Sequence, residues 1–439
     1  MDFEEALQYL LSLGHETLSI KLGLRNTKLL LNSLSNPEKA FPAVQIAGTN
    51  GKGSTSSFLD SICRCAGIKT GLYTSPHLES ITERIKLDGM NISREDFARH
   101  TTTVRNAAEF LLNEGAISAL PTFFEQITAI ALVAFRDARV KLAILETGLG
   151  GRLDSTTAVG AEVCGITRIG FDHQEYLGNT IESIAAEKAA IIHSGSTAVI
   201  AHQKPEALAV ILERCREVGV TPLVEGSKSA IEQVSEDGRC LVTFETRSEK
   251  YENVWLGLRG RHQVENAATA IQLAEVLNER FAITPADVGE GLNAATHPGR
   301  LEWIPGEPVF LLDGAHNTLG AEALHDYLRE FGRQPLTLLF GAMRDKRIEE
   351  IAECLFPMAS NLVVTGIDNP RSASIETLDT LARRFGQRSV SATHSRAALK
   401  LALENTAPDG MICITGSLYL IGELRNQILY SLESVKTPT

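Results

Sequence analysis

Ala47-Gly48-Thr49-Asn50-Gly51-Lys52-Gly53-Ser54-Thr55 stands directly after the run Ala43 to Ala47 and directly before a helical run that carries Phe58, Leu59 and Ile62. A buried strand, a glycine-rich turn and a helix, in that order, make a phosphate site. The glycines let backbone N–H groups converge, the helix N-terminus adds partial positive charge, and Lys52 supplies a full one. Ser54 and Thr55 stand where a hydroxyl reaches a phosphate or its magnesium. The match to the general P-loop pattern is imperfect, since Ile46 replaces its first glycine and Gly53 intervenes between Lys52 and Ser54. A glycine-rich strand-helix turn without a ligand is the competing reading.

Outward from this stretch, short Val/Ile/Leu-rich runs recur, each followed by a polar turn and a stretch of helical spacing. That alternation predicts buried parallel strands joined by crossover helices. The strands are expected at 43–47, 68–73, 141–146, 163–169 and 198–201, and after a break at 309–312, 336–340, 362–366 and 411–415. Between 220 and 260 turns such as Glu236-Asp237-Gly238 predict a small antiparallel insert. Thr296-His297-Pro298-Gly299-Arg300 ends a helix, and strand-helix alternation then begins again. The expected architecture is therefore α/β. A P-loop-type parallel-sheet domain over 1–297 is followed by a smaller Rossmann-like domain over 298–439, with a cleft between the two.

At 439 residues the chain has room for about two or three domains. Apolar residues make up 44% and charged residues 22%, the composition of a soluble globular protein with no membrane requirement. Forty-two basic against 54 acidic residues give a net charge of −12, which argues against nucleic acid as a partner. The acidic start Met1-Asp2-Phe3-Glu4-Glu5 does not resemble a secretory signal, so a cytoplasmic location is expected. Seven scattered cysteines without a CxxC pair predict reduced thiols and no zinc site, with Cys63 and Cys65 as core filler.

Two further strand ends carry chemistry. Glu146 closes the run Leu142-Ala143-Ile144-Leu145, where a carboxylate can hold Mg²⁺ beside a nucleotide or simply be a solvated strand-end acid. His173 follows the run that begins at Cys164, and a capping or surface histidine is its alternative. Lys188 stands among alanines and isoleucines, where an unpaired ammonium is costly, so it needs a partner or a changed charge state.

The words AGTNGKGST (47–55), TSPHL (74–78), ERI (83–85), TFFE (122–125), ETGLGGRLDST (146–156), DH (172–173), LGNT (177–180), EKAAII (187–192), HPGRLE (297–302) and DGAHN (313–317) run in the order found in the folylpolyglutamate synthase and dihydrofolate synthase family of Mur-type ligases. The resemblance covers nearly the whole chain. It implies a ligase that uses MgATP to join L-glutamate to dihydropteroate or to a folate, through an acyl phosphate. It assigns Gly48, Thr49, Asn50, Gly51, Lys52, Gly53, Ser54 and Thr55 to the triphosphate cradle. Asn266, Arg300 and Asp313 match nucleotide positions on the side of the second lobe, so that the nucleotide would bridge the lobes. Ser75, Glu146 and His173 match magnesium ligands. Lys188 matches a lysine that is carbamylated in the family and so joins the metal side. His316 falls on the phosphate or amine side, with a helix-start cap as its alternative.

For the pterin side the resemblance implies Thr122, Phe123, Phe124 and Glu125, with Leu153, Asp154 and Ser155 and, more loosely, Ile20-Lys21-Leu22-Gly23. One of the two phenylalanines also fits the helix's apolar face and is expected in the core. Ser155 and His193 depart from residues common in the family. A monomer acting on small molecules is implied. The competing functions are a Mur-type cell-wall ligase, against which TSPHL and TFFE argue, and a non-enzymatic nucleotide-binding protein. Amino-acid-dependent ATP turnover separates the last from the first two.

Overall fold

Successive buried residues, all apolar but Gln45, form the strand β1 (Ala43–Ala47), and a like run closed by Glu146 forms β5 (Leu142–Glu146) beside it. Such runs belong to a parallel sheet covered on both faces. The computed structural model describes residues 1–14, 23–224 and 226–436, which leaves the segment 20–22 of the Ile20-Lys21-Leu22-Gly23 word outside the described residues. The chain divides into two compact α/β units. The first comprises Met1–Ala230, Thr243–Val254 and Glu265–Ala295, and the second Ile231–Val242, Trp255–Val264 and Thr296–Thr439.

In the first unit, β2 (Thr70–Tyr73), β3 (Ile85–Leu87), β4 (Met90–Asn91), β6 (Val163–Ile166), β7 (Thr197–Ile200) and β8 (Leu223–Val224) complete an eight-stranded sheet in the order β4-β3-β2-β5-β1-β6-β7-β8. The strands from β2 to β8 in that order pair in parallel, and β3 and β4 extend the edge antiparallel. Helices Arg94–Asn113 and Phe123–Asp137 cover one face, with Phe97, Val104, Ile127, Ile130 and Phe135 fully buried. Each such side chain contributes roughly 1.5–3 kcal/mol.

The insert forms a three-stranded sheet of β9 (Ser227–Val234), β10 (Arg239–Thr246) and β11 (Lys250–Arg259), joined by tight turns closed by Ser235 N–H to Arg239 O and Thr246 N–H to Glu249 O. In the second unit β12 (Glu302–Ile304), β13 (Val309–Asp313), β14 (Leu336–Phe340), β15 (Asn361–Thr365), β16 (Ser389–Ala392) and β17 (Met411–Thr415) lie in the order β12-β13-β17-β14-β15-β16, parallel except for β12.

Three expectations need correction. The strand expected over 163–169 stops at Ile166, because the next backbone groups turn to other partners: Gln203 takes Ile169 N–H and donates to Thr167 O, and Arg168 O accepts Thr49 and Asn50 N–H. Cys63 is buried as expected, whereas Cys65, two residues on and on another helix face, is exposed. Asn266 belongs to the first unit, on the helix Gln263–Leu277, which is followed by Pro285–Ala294 packed against the helix Lys52–Cys65.

Candidate active site

Four neighbouring strands of the first unit, β2, β5, β1 and β6, deliver the chemistry-bearing words from their carboxyl ends. Parallel sheets collect ligands there because every crossover loop opens on that edge. Thr147 N–H donates to Ile46 O and Thr167 N–H to Ala47 O, so the ends of β5, β1 and β6 are tied at one level. Ser75 follows β2, Glu146 ends β5, the glycine loop follows β1, and His173 follows β6.

The helix Lys52–Cys65 starts at Gly51, in the left-handed region at φ +89°, and no side chain caps it. Several helices of this chain start otherwise, with Ser93, Thr122, Thr180, Thr284 or Ser374 accepting a first-turn N–H. An uncapped N-terminus directs its dipole and N–H groups at an anion. A Cβ on Gly51 would stand 2.2 Å from Asn266 Oδ1, which explains the glycine and puts Asn266 over the loop. Thr49 and Asn50 N–H both point to Arg168 O, at 3.0 and 3.3 Å, so these two residues brace the loop with their backbone. Thr49 Oγ1 also bonds Gly170.

Lys52 Nζ lies 3.2 Å from Gly48 O and 3.1 Å from Thr49 O, and Lys188 Nζ lies 2.7 Å from the same Gly48 O. Lys188 is 5% exposed. Burial, reinforced by the Lys52 charge, pulls its pKa down to about 7, against the opposing pull of Asp172, Asp154 and Glu187. The partner that a buried ammonium needs is thus the Gly48 carbonyl, and burial lowers the pKa in the direction expected from its apolar neighbours.

Glu146 is buried and accepts Ser75 N–H on Oε2 at 3.1 Å. His173 sits at φ +49° ahead of a short helix, with its N–H on Asp172 Oδ1. Among the described residues no three His, Cys, Asp or Glu side chains converge as a metal cluster. The buried Glu146 carboxylate at the end of β5 is the kind of oxygen donor that suits Mg²⁺, an ion that keeps waters and takes phosphate oxygens.

The TFFE word divides its labour. Thr122 Oγ1 accepts Glu125 N–H and Glu125 Oε2 accepts Thr122 N–H at 2.7 Å, a capping box that starts the helix Phe123–Asp137. Phe123 is core, with the Arg84 guanidinium 5.4 Å from its ring centre. Phe124 is half-buried, meets Tyr73 edge-on at 6.3 Å, and lies so close to Gly148 that a Cβ there would stand 2.2 Å from its Cζ. Asp154 accepts Gly148 and Leu149 N–H on Oδ2 and Thr156 N–H and Oγ1 on Oδ1, holding the loop after β5 in shape. Burial pushes its carboxyl pKa up while these donors oppose the shift. Leu153 is half-buried and Ser155 is buried beside it.

Residues not singled out in the sequence complete this frame. Gln45 Nε2, buried in β1, donates toward Thr147, Thr156 and Thr157 hydroxyls at 2.8–3.1 Å. Arg84 Nε donates to His77 Nδ1 at 2.8 Å, and burial and the Arg84 charge lower the His77 pKa to about 3.

In the second unit Asp313 ends β13 and accepts Leu301 and Ala315 N–H at 2.8 and 2.9 Å. Burial raises its carboxyl pKa, and Arg300 opposes that shift. Arg300 Nη1 is 3.4 Å from Gly314 O. His316 Nδ1 lies 2.7 Å from Gly314 O and therefore donates to it, which fixes a proton on Nδ1. The cap of the following helix is Asn317, whose Oδ1 takes Gly320 N–H, so His316 is not the cap.

Both units match ligase families. Residues 46–274 match the Mur ligase middle domain and 299–418 the glutamate ligase domain of Mur ligases. The chain is 36% identical over 94% of its length to dihydrofolate synthase/folylpolyglutamate synthase of Bacillus subtilis, covering 97% of that protein. It is also 34% identical to a probable bifunctional folylpolyglutamate synthase/dihydropteroate synthase of Haloferax volcanii, over 97% of this chain and 50% of that one. The chain thus spans about half the length of such haloarchaeal relatives. Mycobacterium tuberculosis folylpolyglutamate synthase, solved with ADP and AMPPCP, superposes with a TM-score of 0.89 at 31% identity, over 97% of this chain and 99% of that one. The chain belongs to the folylpolyglutamate synthase/dihydrofolate synthase family. No helix among the described residues is long and apolar enough to cross a membrane.

Proposed function

We propose that this chain is an ATP-dependent ligase that adds L-glutamate to dihydropteroate and to the glutamate tail of reduced folates. The observation that carries the reading is the meeting of Ser75, Glu146, the Lys52 loop and His173 at four adjacent strand ends, in a chain of this family. A carboxylate resists amines because it is anionic and has no good leaving group. Its oxygen therefore attacks the γ-phosphorus of ATP, the bond to the bridging oxygen breaks, and ADP leaves with that electron pair. The glutamate amine, having lost its proton, then attacks the acyl carbon; a C–N bond forms, the C–O bond breaks, and phosphate departs.

In the first step Lys52 and the first-turn N–H groups of Lys52–Cys65 offset charge on the transferring oxygens. Gly48 to Thr55 line the phosphates, Asn266 closes over Gly51, and Arg300 offers a fork for phosphate oxygens. Asp313 fixes the turn beside Arg300 through the Leu301 N–H. His316 Nε2 suits the amine proton, and once it holds that proton it can donate to the departing phosphate. Ser75, Glu146 and His173 would hold Mg²⁺, which when bound neutralises phosphate charge. A near-neutral pKa leaves part of Lys188 as free amine, the form that adds carbon dioxide, so we read Lys188 as an N-carboxylated residue on the metal side. Labelling with ¹³C carbon dioxide should give a carbamate NMR signal that Lys188→Ala lacks; an unlabelled parent enzyme would refute the modification.

Phe124 is read as the pterin-stacking residue and Phe123 as core, with Thr122 and Glu125 shaping the helix start and Leu153, Asp154 and Ser155 the facing loop. Phe124→Ala should weaken dihydropteroate binding by about 1 kcal/mol or more with little loss of stability. Phe123→Ala should instead cost about 3–5 kcal/mol of stability. Calorimetric titration and thermal unfolding separate the two; equal behaviour would place both rings in the core.

We take the protein to be a cytoplasmic monomer working on small molecules, its net charge of −12 disfavouring nucleic acid. ADP release measured with glutamate and, in turn, dihydropteroate and tetrahydrofolate tests the whole reading. Turnover with both acceptors is expected. Turnover with tetrahydrofolate alone would leave only the polyglutamate activity, and no glutamate-dependent ADP release would overturn the ligase.

A further inference from the structure

The turn that carries Arg300 has an unusual backbone. Gly299 lies at φ +72° and Leu301, with a full side chain, at φ +44°. A non-glycine residue in that region is uncommon and persists where its surroundings over-determine it. One set of restraints comes from the end of β13, where Asp313 Oδ2 takes Leu301 N–H at 2.8 Å and Gly314 N–H reaches Gly299 O at 2.8 Å. The Leu301 side chain is buried.

The second set comes from the far end of the chain. Glu302 Oε2 accepts Gly299 N–H at 2.9 Å. The same carboxylate is gripped by Arg425 of the helix Leu418–Lys436, with Nε 3.0 Å from both oxygens and Nη2 2.7 Å from Oε1. Three donor groups thus fix one carboxylate, and the fork geometry sets its plane.

We propose that Glu302 and Arg425 are positioning residues for Arg300: by holding the Gly299 N–H they fix the direction in which the guanidinium leaves its turn toward a nucleotide phosphate. The inference rests on the reading of Arg300 as a nucleotide-binding residue. A guanidinium recognises phosphate through a rigid planar fork, so orientation decides whether it binds. Arg300's own hydrogen bond to Gly314 O is long, at 3.4 Å, and its charged neighbour is the Asp313 carboxylate that already holds the Leu301 N–H, so the backbone of the turn has a large share in setting its direction. The Arg425 and Glu302 side chains keep 21% and 18% of their surface exposed, so stability depends on this ion pair less than on the apolar core.

Glu302→Gln keeps an oxygen for Gly299 but loses the charge that holds Arg425, and Arg425→Lys keeps the charge but loses the fork. Either should raise KM for ATP about tenfold, with KM for folate and glutamate within about twofold of the parent. The decisive measurement is the double-mutant cycle with Arg300→Ala, in which Glu302→Gln should add nothing further to KM for ATP. An equal increase in both backgrounds would mean a merely structural pair and overturn the proposal. Parental KM in Glu302→Gln and Arg425→Lys, beside a raised KM in Arg300→Ala, overturns the positioning role and leaves Arg300 in place. A parental KM in Arg300→Ala overturns the nucleotide role of Arg300 and this proposal with it. If Glu302→Gln does not fold, Arg425→Lys carries the same cycle.

Discussion

Lys52→Ala is expected to lower glutamate-dependent ADP release by about 10³-fold, the loss seen when a group stabilising transition-state charge is removed. Thermal unfolding should change little. The ammonium stands on Gly48 O and Thr49 O in a half-exposed loop where water can replace it, and its removal relieves the repulsion of Lys188 on the same Gly48 O. On the proposed reading its value lies in the charge it brings to phosphate oxygens leaving one partner for another. Lys52→Arg separates charge from shape: the planar guanidinium keeps the charge but is bulkier than the ammonium seated between two carbonyls. Partial recovery in Lys52→Arg would assign the loss to charge, and none would assign it to geometry. A well-folded Lys52→Ala enzyme within about tenfold of the parent would remove Lys52 from the phosphate site.

Much of this was legible because parallel strands, buried on both faces, read as nearly unbroken apolar runs. Ala43–Ala47, Leu336–Phe340 and Met411–Thr415 are found where the runs stand. Hydrogen bonding was less legible. Thr167, Arg168 and Ile169 follow β6 directly, yet their backbone groups serve Gln203 and the glycine loop, and a partner 34 residues away leaves no local pattern. Ser389–Ala392 escaped for the opposite reason, an edge strand with polar residues in place of an apolar run.

The TFFE word shows how function and framework overlap in sequence. Thr-x-x-Glu is a helix-start signature in its own right, so the word could have been divided before the structure: two capping residues around two rings. The capping pattern leaves the choice between the rings open, since both lie in the first turn. Burial separates them, since Phe123 is core and Phe124 keeps an exposed face, which is why the proposal gives the pterin to Phe124. Gln45, Arg84 with His77, and Glu302 with Arg425 had no such signature. Each acts on a residue distant in the chain or through a backbone group, and their chemistry becomes visible only when the partner is in place.

Glu146→Gln is the second large effect to expect: a fall in turnover of about 10²-fold or more, with a much higher magnesium concentration needed for half-maximal rate. The substitution is nearly isosteric, and an amide oxygen can still accept the Ser75 N–H now 3.1 Å from Oε2, so the end of β5 should keep its shape. What disappears is a negative charge on a residue 5% exposed, at the strand end beside the glycine loop. A buried carboxylate is retained against its desolvation cost only where it meets a cation or hydrogen-bond donors. If magnesium is that cation, the Glu146→Gln variant should be as stable as the parent or more so without metal, while losing the extra stability that MgADP gives the parent. Thermal unfolding with and without MgADP reads this directly. Equal MgADP stabilisation in parent and variant, with unchanged magnesium titrations, would return Glu146 to a strand-end acid tied to Ser75 and would leave His173 without a carboxylate partner at that metal.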